Sequence, residues 1–312
     1  MDQPKTQVKR NVPPLLRAIW KHRALMLMLL IGLVYYAIFH YGPIYGIQIA
    51  FKDYKFRRGI WGSEWVGLEH FRAMFSGVQF WPVFRNTVLI SLYKMLAGFP
   101  APIIFALLLN ELRGKWFKKT VQTVSYLPHF LSWVILGGIF IQILSPSIGA
   151  VNYVIKLMGF QPIFFLGDTR WFRTTLVILS VWKGFGWGSV IYLATLSGIS
   201  PELYEAAVID GASRWHQALH ITIPHLMPII SIMFIMNSGS IINDDFDQIF
   251  NLYNENVYRV GDVISTYVYR KGLVETKYSY TTAVGLFKNV IAFGIILLTN
   301  WITSKFSEYG IW

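Results

Sequence analysis

The most reactive side chains of this 312-residue chain lie inside long apolar runs, where a polar group is costly and so faces a bundle interior or a watery path. Lys183 falls in the middle of Val181-Trp182-Lys183-Gly184-Phe185-Gly186-Trp187. Two readings of it stand. It offers a cation or hydrogen-bond donor to an anionic or polyhydroxylated solute, with Trp182 beside it; or it pairs with an acid or reaches toward the interface. A second polar run, Asn237-Ser238-Gly239-Ser240-Ile241-Ile242-Asn243-Asp244-Asp245, closes another apolar stretch. Asn amides both donate and accept, so Asn237, Ser240 and Asn243 suit sugar hydroxyls. Phe246 or Trp182 offers a ring to a sugar's apolar face. Asn237 and Ser240 are one helical turn apart, as are Ser240 and Asp244. The competing reading is hydrogen bonding between helices. Asp244, Asp245 and Asp247 are expected at the membrane exit, gating it or meeting a partner. Lys94, Lys288 and Asn289 are the available counter-groups.

Signatures of covalent, nucleotide or metal chemistry are missing. With no Cys there is no thiolate nucleophile, thiolate metal site or disulfide. No phosphate-binding G-x-x-x-x-G-K-[ST] run occurs; Gly114-Lys115 lacks both the upstream Gly and the following hydroxyl. Leu196-Ser197-Gly198-Ile199-Ser200 is only a superficial match to an ATPase Leu-Ser-Gly-Gly-Gln. His216 and His220 share a helix face without an evident third ligand. Asp244-Asp245-x-Asp247 is the one acidic constellation that a membrane-embedded enzyme would need at the membrane face. No catalytic residue and no metal site are expected.

Composition says what must position these groups. Apolar residues make up 54% of the chain and charged ones 14%, against about 25% charged in soluble domains. Mean hydropathy is +0.45. A soluble globular protein and a disordered chain are both excluded. The net charge of +12 is then read as topological bias rather than affinity for nucleic acid, and no nucleic-acid partner is expected.

A helix needs roughly 20 apolar residues to cross a bilayer. Five or six segments qualify: Ala24–Ile44, then runs within Val83–Asn110, Val121–Leu144 and Phe172–Leu196, one starting near Leu226, and Ala283–Ile302. The first is too long for a signal peptide and is read as a retained helix. Lys5, Lys9, Arg10, Arg17, Lys21 and Arg23 precede it; Arg113, Lys115, Lys118 and Lys119 lie between spans two and three. Both groups fall inside if the N-terminus is cytoplasmic, although Lys52, Lys55, Arg57 and Arg58 break the pattern outside. Six spans put both termini in the cytoplasm and export loops at 45–82, 145–171 and 247–282. The expected organisation is a tail over 1–23 and one membrane domain over 24–312. Trp171, Trp301 and Trp312 read as interfacial belt residues. Neither a fixed repeat nor inverted symmetry between the halves is evident.

The loop at 198–225, between spans four and five, has the most specific local chemistry. Ser200 is an N-cap, Pro201 fits the first helical position, and Glu202 complements the helix dipole. Gly211 ends that helix in the left-handed region, Ser213 caps a second, and Pro224 terminates or kinks it. Small Ala206 and Ala207 with charged Glu205 and Asp210 suit a short helix seated in a groove of a cytoplasmic partner; an ordinary helical loop is the other reading.

Glu205-Ala206-Ala207, then Gly211, then Ile221-x-Ile223-Pro224 resembles the EAA signature (EAA-x3-G-x9-I-x-L-P) of ABC-importer permeases, with Ile223 in place of Leu. The Gly67-Leu68-Glu69-His70-Phe71, Asn86-Thr87 and Leu127-Pro128 segments are similar to elements of sugar-importer permeases. The run from Asn237 to Gly272 resembles the branch handling complex oligosaccharides, alginate importers included. The resemblance implies an all-α integral membrane protein of the ABC type I importer permease fold, with about six transmembrane helices and a cytoplasmic coupling helix. It further implies that Glu205, Ala206, Ala207, Asp210 and Gly211 contact an ATPase. The implied partners are a second homologous permease, two ABC ATPase subunits binding ATP and Mg, an extracytoplasmic solute-binding protein and an oligosaccharide, in a bacterial inner membrane. An ion-coupled secondary transporter is the rival reading.

Overall fold

In a computed structural model, residues 21–112, 114–242 and 244–306 are described, apart from the side chains of Ser240 and Phe306. The expectations for residues 1–20, Arg113, the Ser240 side chain, Asn243 and Trp312 lie outside them. Five unbroken helices are long and apolar enough to cross a bilayer: α1 (Arg23–Phe51), α3 (Phe80–Glu111), α7 (Phe172–Ser197), α9 (Arg214–Ser238) and α12 (Tyr278–Phe306). Short helix α2 (Glu69–Ser76) precedes α3, and a two-residue antiparallel hairpin pairs Lys52 with Trp65 and Asp53 with Glu64.

The third expected span differs from a single straight helix. It consists of α4 (Lys115–Phe130) and α5 (Trp133–Ile143), bent by 103°. The cause is local. Pro128 sits in a tight 3-10 turn at the end of α4, and Ser132 restarts the chain as an N-cap that accepts from the Ile135 N–H. Helix α6 (Ala150–Leu157) follows, then α8 (Pro201–Ile209) between α7 and α9; α10 (Phe246–Leu252) and α11 (Ile264–Val268) lie between α9 and α12.

Prolines leave another mark. Pro224 neither ends nor breaks the helix it sits in; α9 runs through it, and through Pro228, without interruption. A widened π-turn at Ala218–Thr222 directly precedes Pro224, and another at Ala37–Tyr41 precedes Pro43 in α1. A proline ring collides with the carbonyl four residues back and offers no N–H, and a widened turn makes room for both defects. That is why α1 continues seven residues past its expected end at Ile44, through Tyr45–Phe51.

Packing divides along α7. One buried cluster gathers Phe172, Leu176 and Leu179 with Trp133, Ile249 and Val263 at the end away from the 198–225 loop. Another gathers Tyr192, Leu196 and Ile199 with Ala106 and Leu226 at the loop end. Helix α7 approaches α4 closely because Gly186 has no side chain: a Cβ there would collide with the Ser125 backbone. By contrast, no residue of 23–44 is buried.

Candidate functional site

The 198–225 loop is a compact knob whose shape follows from its capping residues. Ser200 accepts from the Glu202 N–H at 3.3 Å, and Pro201 opens α8. At the other end Gly211 has φ +79°. Its N–H donates to the Val208 carbonyl at 3.0 Å, while the Ala212 N–H donates to Ala207 at 2.8 Å. This pair of crossed bonds is a Schellman closure, which demands the left-handed backbone that glycine adopts without strain. Ser213 then caps α9 by accepting from the His216 N–H at 3.3 Å.

Side chains pin the knob to the spans. The Tyr204 and Thr222 hydroxyls lie 3.0 Å apart, and Arg214 Nη1 donates to Glu111 Oε2 at 3.0 Å, joining the loop to the end of α3. What projects is apolar. Val208, Ile209 (86% exposed) and Trp215 are all exposed, with Glu205, Ala206, Asp210 and Gly211 exposed beside them and Ala207 half-buried. An exposed apolar tip on a rigid base is what a docking element requires.

A second concentration of chemistry lies between the two buried clusters of α7. Lys288 Nζ reaches Asp244 Oδ1 at 2.9 Å, with the Asp244 side chain fully buried. Asp244 Oδ2 accepts from the Ser265 N–H at 2.8 Å. Asp245 is the N-cap of α10, where Oδ1 accepts from the Gln248 N–H at 3.4 Å and Oδ2 from Trp133 Nε1 at 3.0 Å. Lys94 Nζ stands 4.0 Å from Asp245 Oδ2. Beside this pair a cavity of ≈ 330 Å³ opens between α3, α7 and α9, with Asn237, Ser91, Ser180 and Tyr192 in its lining.

The residues singled out from sequence are therefore not all in one place. Asn237 lines the cavity and donates to the Met233 carbonyl at 2.7 Å. Lys183 points elsewhere: its Nζ donates to the His129 carbonyl at 3.2 Å and lies over the Trp133 ring. It thus satisfies a carbonyl released at the α4–α5 break and has no acidic partner among the described residues. Trp182 is exposed and meets Phe140 edge-on. Because α9 ends at Ser238, residues 240 and 244 do not share a helix face. Asp244 is an internal ion-pair partner rather than an exposed exit residue, whereas Asp247 is exposed. His216 and His220 stack face to face, and no group of three metal-ligating side chains converges among the described residues.

The family model for the binding-protein-dependent transport system inner membrane component matches residues 98–307. This chain belongs to that family. Protein LplB of Bacillus subtilis (strain 168) is 40% identical over 97% of the permease and 98% of its own length. The polygalacturonan/rhamnogalacturonan transport system permease protein YteP of the same organism is 40% identical, over 96% of this chain and 93% of its own. A crystal structure of a bacterial ABC transporter that imports the acidic polysaccharide alginate contains a chain that superposes with a TM-score of 0.87 at 38% identity. The match covers 94% of the permease and 99% of that chain. The alginate transporter in complex with its alginate pentasaccharide-bound periplasmic protein matches with a TM-score of 0.88, again at 38% identity, over 96% and 100%.

Within the permease, the other motif residues work as joints. Gly67 has φ +62°, and His70 Nε2 lies 3.0 Å from the Lys52 carbonyl. Asn86 is a hub: its amide donates to the Arg259 and Asp262 carbonyls, both at 3.1 Å, and accepts from Arg173 Nη2 at 2.7 Å. Thr87 Oγ1 accepts from the Ile264 N–H at 2.8 Å. Sequence reasoning missed Arg173, Asp262 and Arg270, which tie α3, α7 and α11 together, and Trp133 as a donor to Asp245. For Asp262 and Arg270 the available signal was an Asp and an Arg eight residues apart in a segment read simply as an exported loop. Beyond the spans, burial followed by the adjacent Tyr258 pushes the Tyr253 phenol up to about 12, so it stays protonated.

Proposed function

We propose that this permease is one of two membrane subunits of an ATP-driven importer for an oligosaccharide, and that the transported chain is acidic. The supporting observation is the closed, glycine-capped knob of α8, whose exposed Val208 and Ile209 present an apolar tip to a groove in a cytoplasmic ATPase. Glu205, Ala206, Ala207, Asp210 and Gly211 form the surface that carries ATP-driven motion into the spans. The similarity to an alginate importer and to a polygalacturonan/rhamnogalacturonan permease favours an acidic sugar polymer fragment as cargo.

In this reading the chain sits in a bacterial cytoplasmic membrane with the α8 knob and both termini inside. It has no catalytic residue of its own; ATP and Mg belong to two ATPase subunits. The pore is completed by a second, homologous permease, and an extracytoplasmic solute-binding protein delivers the sugar, as supported by the alginate transporter bound to a loaded periplasmic protein. Asn237 and the cavity beside it form part of the path. Closure of the ATPase dimer moves α8, the spans tilt as rigid bodies, and the path faces outward to take solute.

The test is reconstitution in proteoliposomes with a candidate ATPase, second permease and binding protein from the same organism. Uptake of an acidic oligosaccharide is expected to require ATP and loaded binding protein. Uptake driven by an ion gradient without the ATPase would overturn the reading.

A further inference from the structure

We infer that Lys94 is the specificity-determining residue of the transport path, donating to a carboxylate of the sugar chain held in the cavity between α3, α7 and α9. The inference rests on the oligosaccharide reading above and names the group on the cargo that is recognised.

Lys94 is the one cation among the residues lining this cavity, and Asp245 the one anion. Its Nζ is buried and has no hydrogen-bond partner among the described residues. The closest carboxylate atom, Asp245 Oδ2, is 4.0 Å away, beyond hydrogen-bond reach. Asp245 does not depend on Lys94, because each of its oxygens already accepts an N–H, from Trp133 and from the Gln248 backbone. The neighbouring pair shows what a closed contact looks like in this bundle: Lys288 and Asp244 meet at 2.9 Å. Two Lys–Asp pairs thus share one region, and only the one at the cavity leaves its ammonium donors unspent.

An unmet buried ammonium is costly, and a ligand oxygen removes that cost. A carboxylate does so best, since charge-assisted hydrogen bonds are the stronger kind. The rest of the lining fits a sugar ring. Ser91, Ser180, Tyr192 and Asn237 carry groups able to bond hydroxyls, and Phe99 and Phe185 add apolar wall. A Cβ at Gly184 would meet nothing within 4 Å, so the α7 wall of the cavity is open at that residue. At ≈ 330 Å³ the cavity lies at the small end of the roughly 300–1,000 Å³ of small-molecule sites, enough for one end of a chain rather than all of it.

The test compares Lys94→Gln and Lys94→Arg in the reconstituted importer, using an oligogalacturonide and a neutral oligosaccharide as probes. Lys94→Gln is expected to lower oligogalacturonide uptake about tenfold or more, the size of one charge-assisted contact. Lys94→Arg, which keeps the cation, is expected to restore most of it. If Lys94→Gln fails to assemble, Lys94→Gln combined with Asp245→Asn removes both charges and carries the same expectation. Uptake at the wild-type rate by the Gln variant, or equal loss in the Gln and Arg variants, would overturn the role of Lys94. A wild-type importer that takes only the neutral probe would instead overturn the acidic-cargo reading itself.

Discussion

Asp244 and Asp245 are chemically identical neighbours, yet the fold gives them different partners. Asp244 is sealed against Lys288, so Asp244→Asn strands a buried ammonium. Breaking a buried pair from one side costs about 3–5 kcal/mol. The variant is expected to lose several degrees of melting temperature in detergent, and Asp244→Asn with Lys288→Met to recover much of the loss. At Gly211, φ +79° excludes a β-branched residue at a cost of about 1–2 kcal/mol. Gly211→Val is expected to leave membrane insertion and basal ATP hydrolysis in place and to abolish stimulation by loaded binding protein; retained stimulation would sink the role of the knob. The need for lysine counter-charges to the aspartates was legible, because ions in an apolar run must be compensated. Which lysine meets which aspartate was not, since that depends on how α3 and α12 pack. The Lys183 partner was hidden for a similar reason: the His129 carbonyl is free only because the chain breaks there.

At the level of elements, capping chemistry was the most legible part. Ser200, Gly211 and Ser213 all occupy the cap positions their side chains specify, because these interactions are confined to a few adjacent residues. Proline effects were harder to read. Pro128 contributes to a 103° bend, whereas Pro224 sits in a helix that continues, and the difference lies in a widened turn that residue types alone do not announce. Glycines show the same dependence on neighbours. Gly186 abuts the Ser125 backbone, while Gly184, two residues away, faces open space. Gly186→Val is therefore expected to destabilise the α4–α7 contact by about 1–3 kcal/mol, as overpacking does. Gly184→Ala should be neutral or stabilising by up to about 1 kcal/mol, since alanine suits a helix interior better. Thermal unfolding of the two purified variants checks the contrast.

For the molecule as a whole, the span count followed from composition, and the cavity did not, because it belongs to three helices at once. The chain has no Cys, so any introduced one is unique and reports sidedness. Ile209→Cys is expected to react with an impermeant maleimide only from the cytoplasmic side, and Phe56→Cys only from outside; the reverse pattern would invert the molecule. The exposed stretch at 23–44 leaves that part of α1 to lipid or to a partner subunit of the proposed importer.

Helix α9 begins at the knob and ends at the cavity: Arg214 is bonded to Glu111 beside the docking tip, and Asn237 lines the sugar-sized space. At 1.5 Å per residue that is a rod of about 35 Å. A tilt of about 5° imposed at its seated end would swing the other by about 3 Å, comparable to the reach of a hydrogen bond. An importer driven through the knob would thereby be geared at the chamber by a single lever arm, which the two prolines leave unbroken.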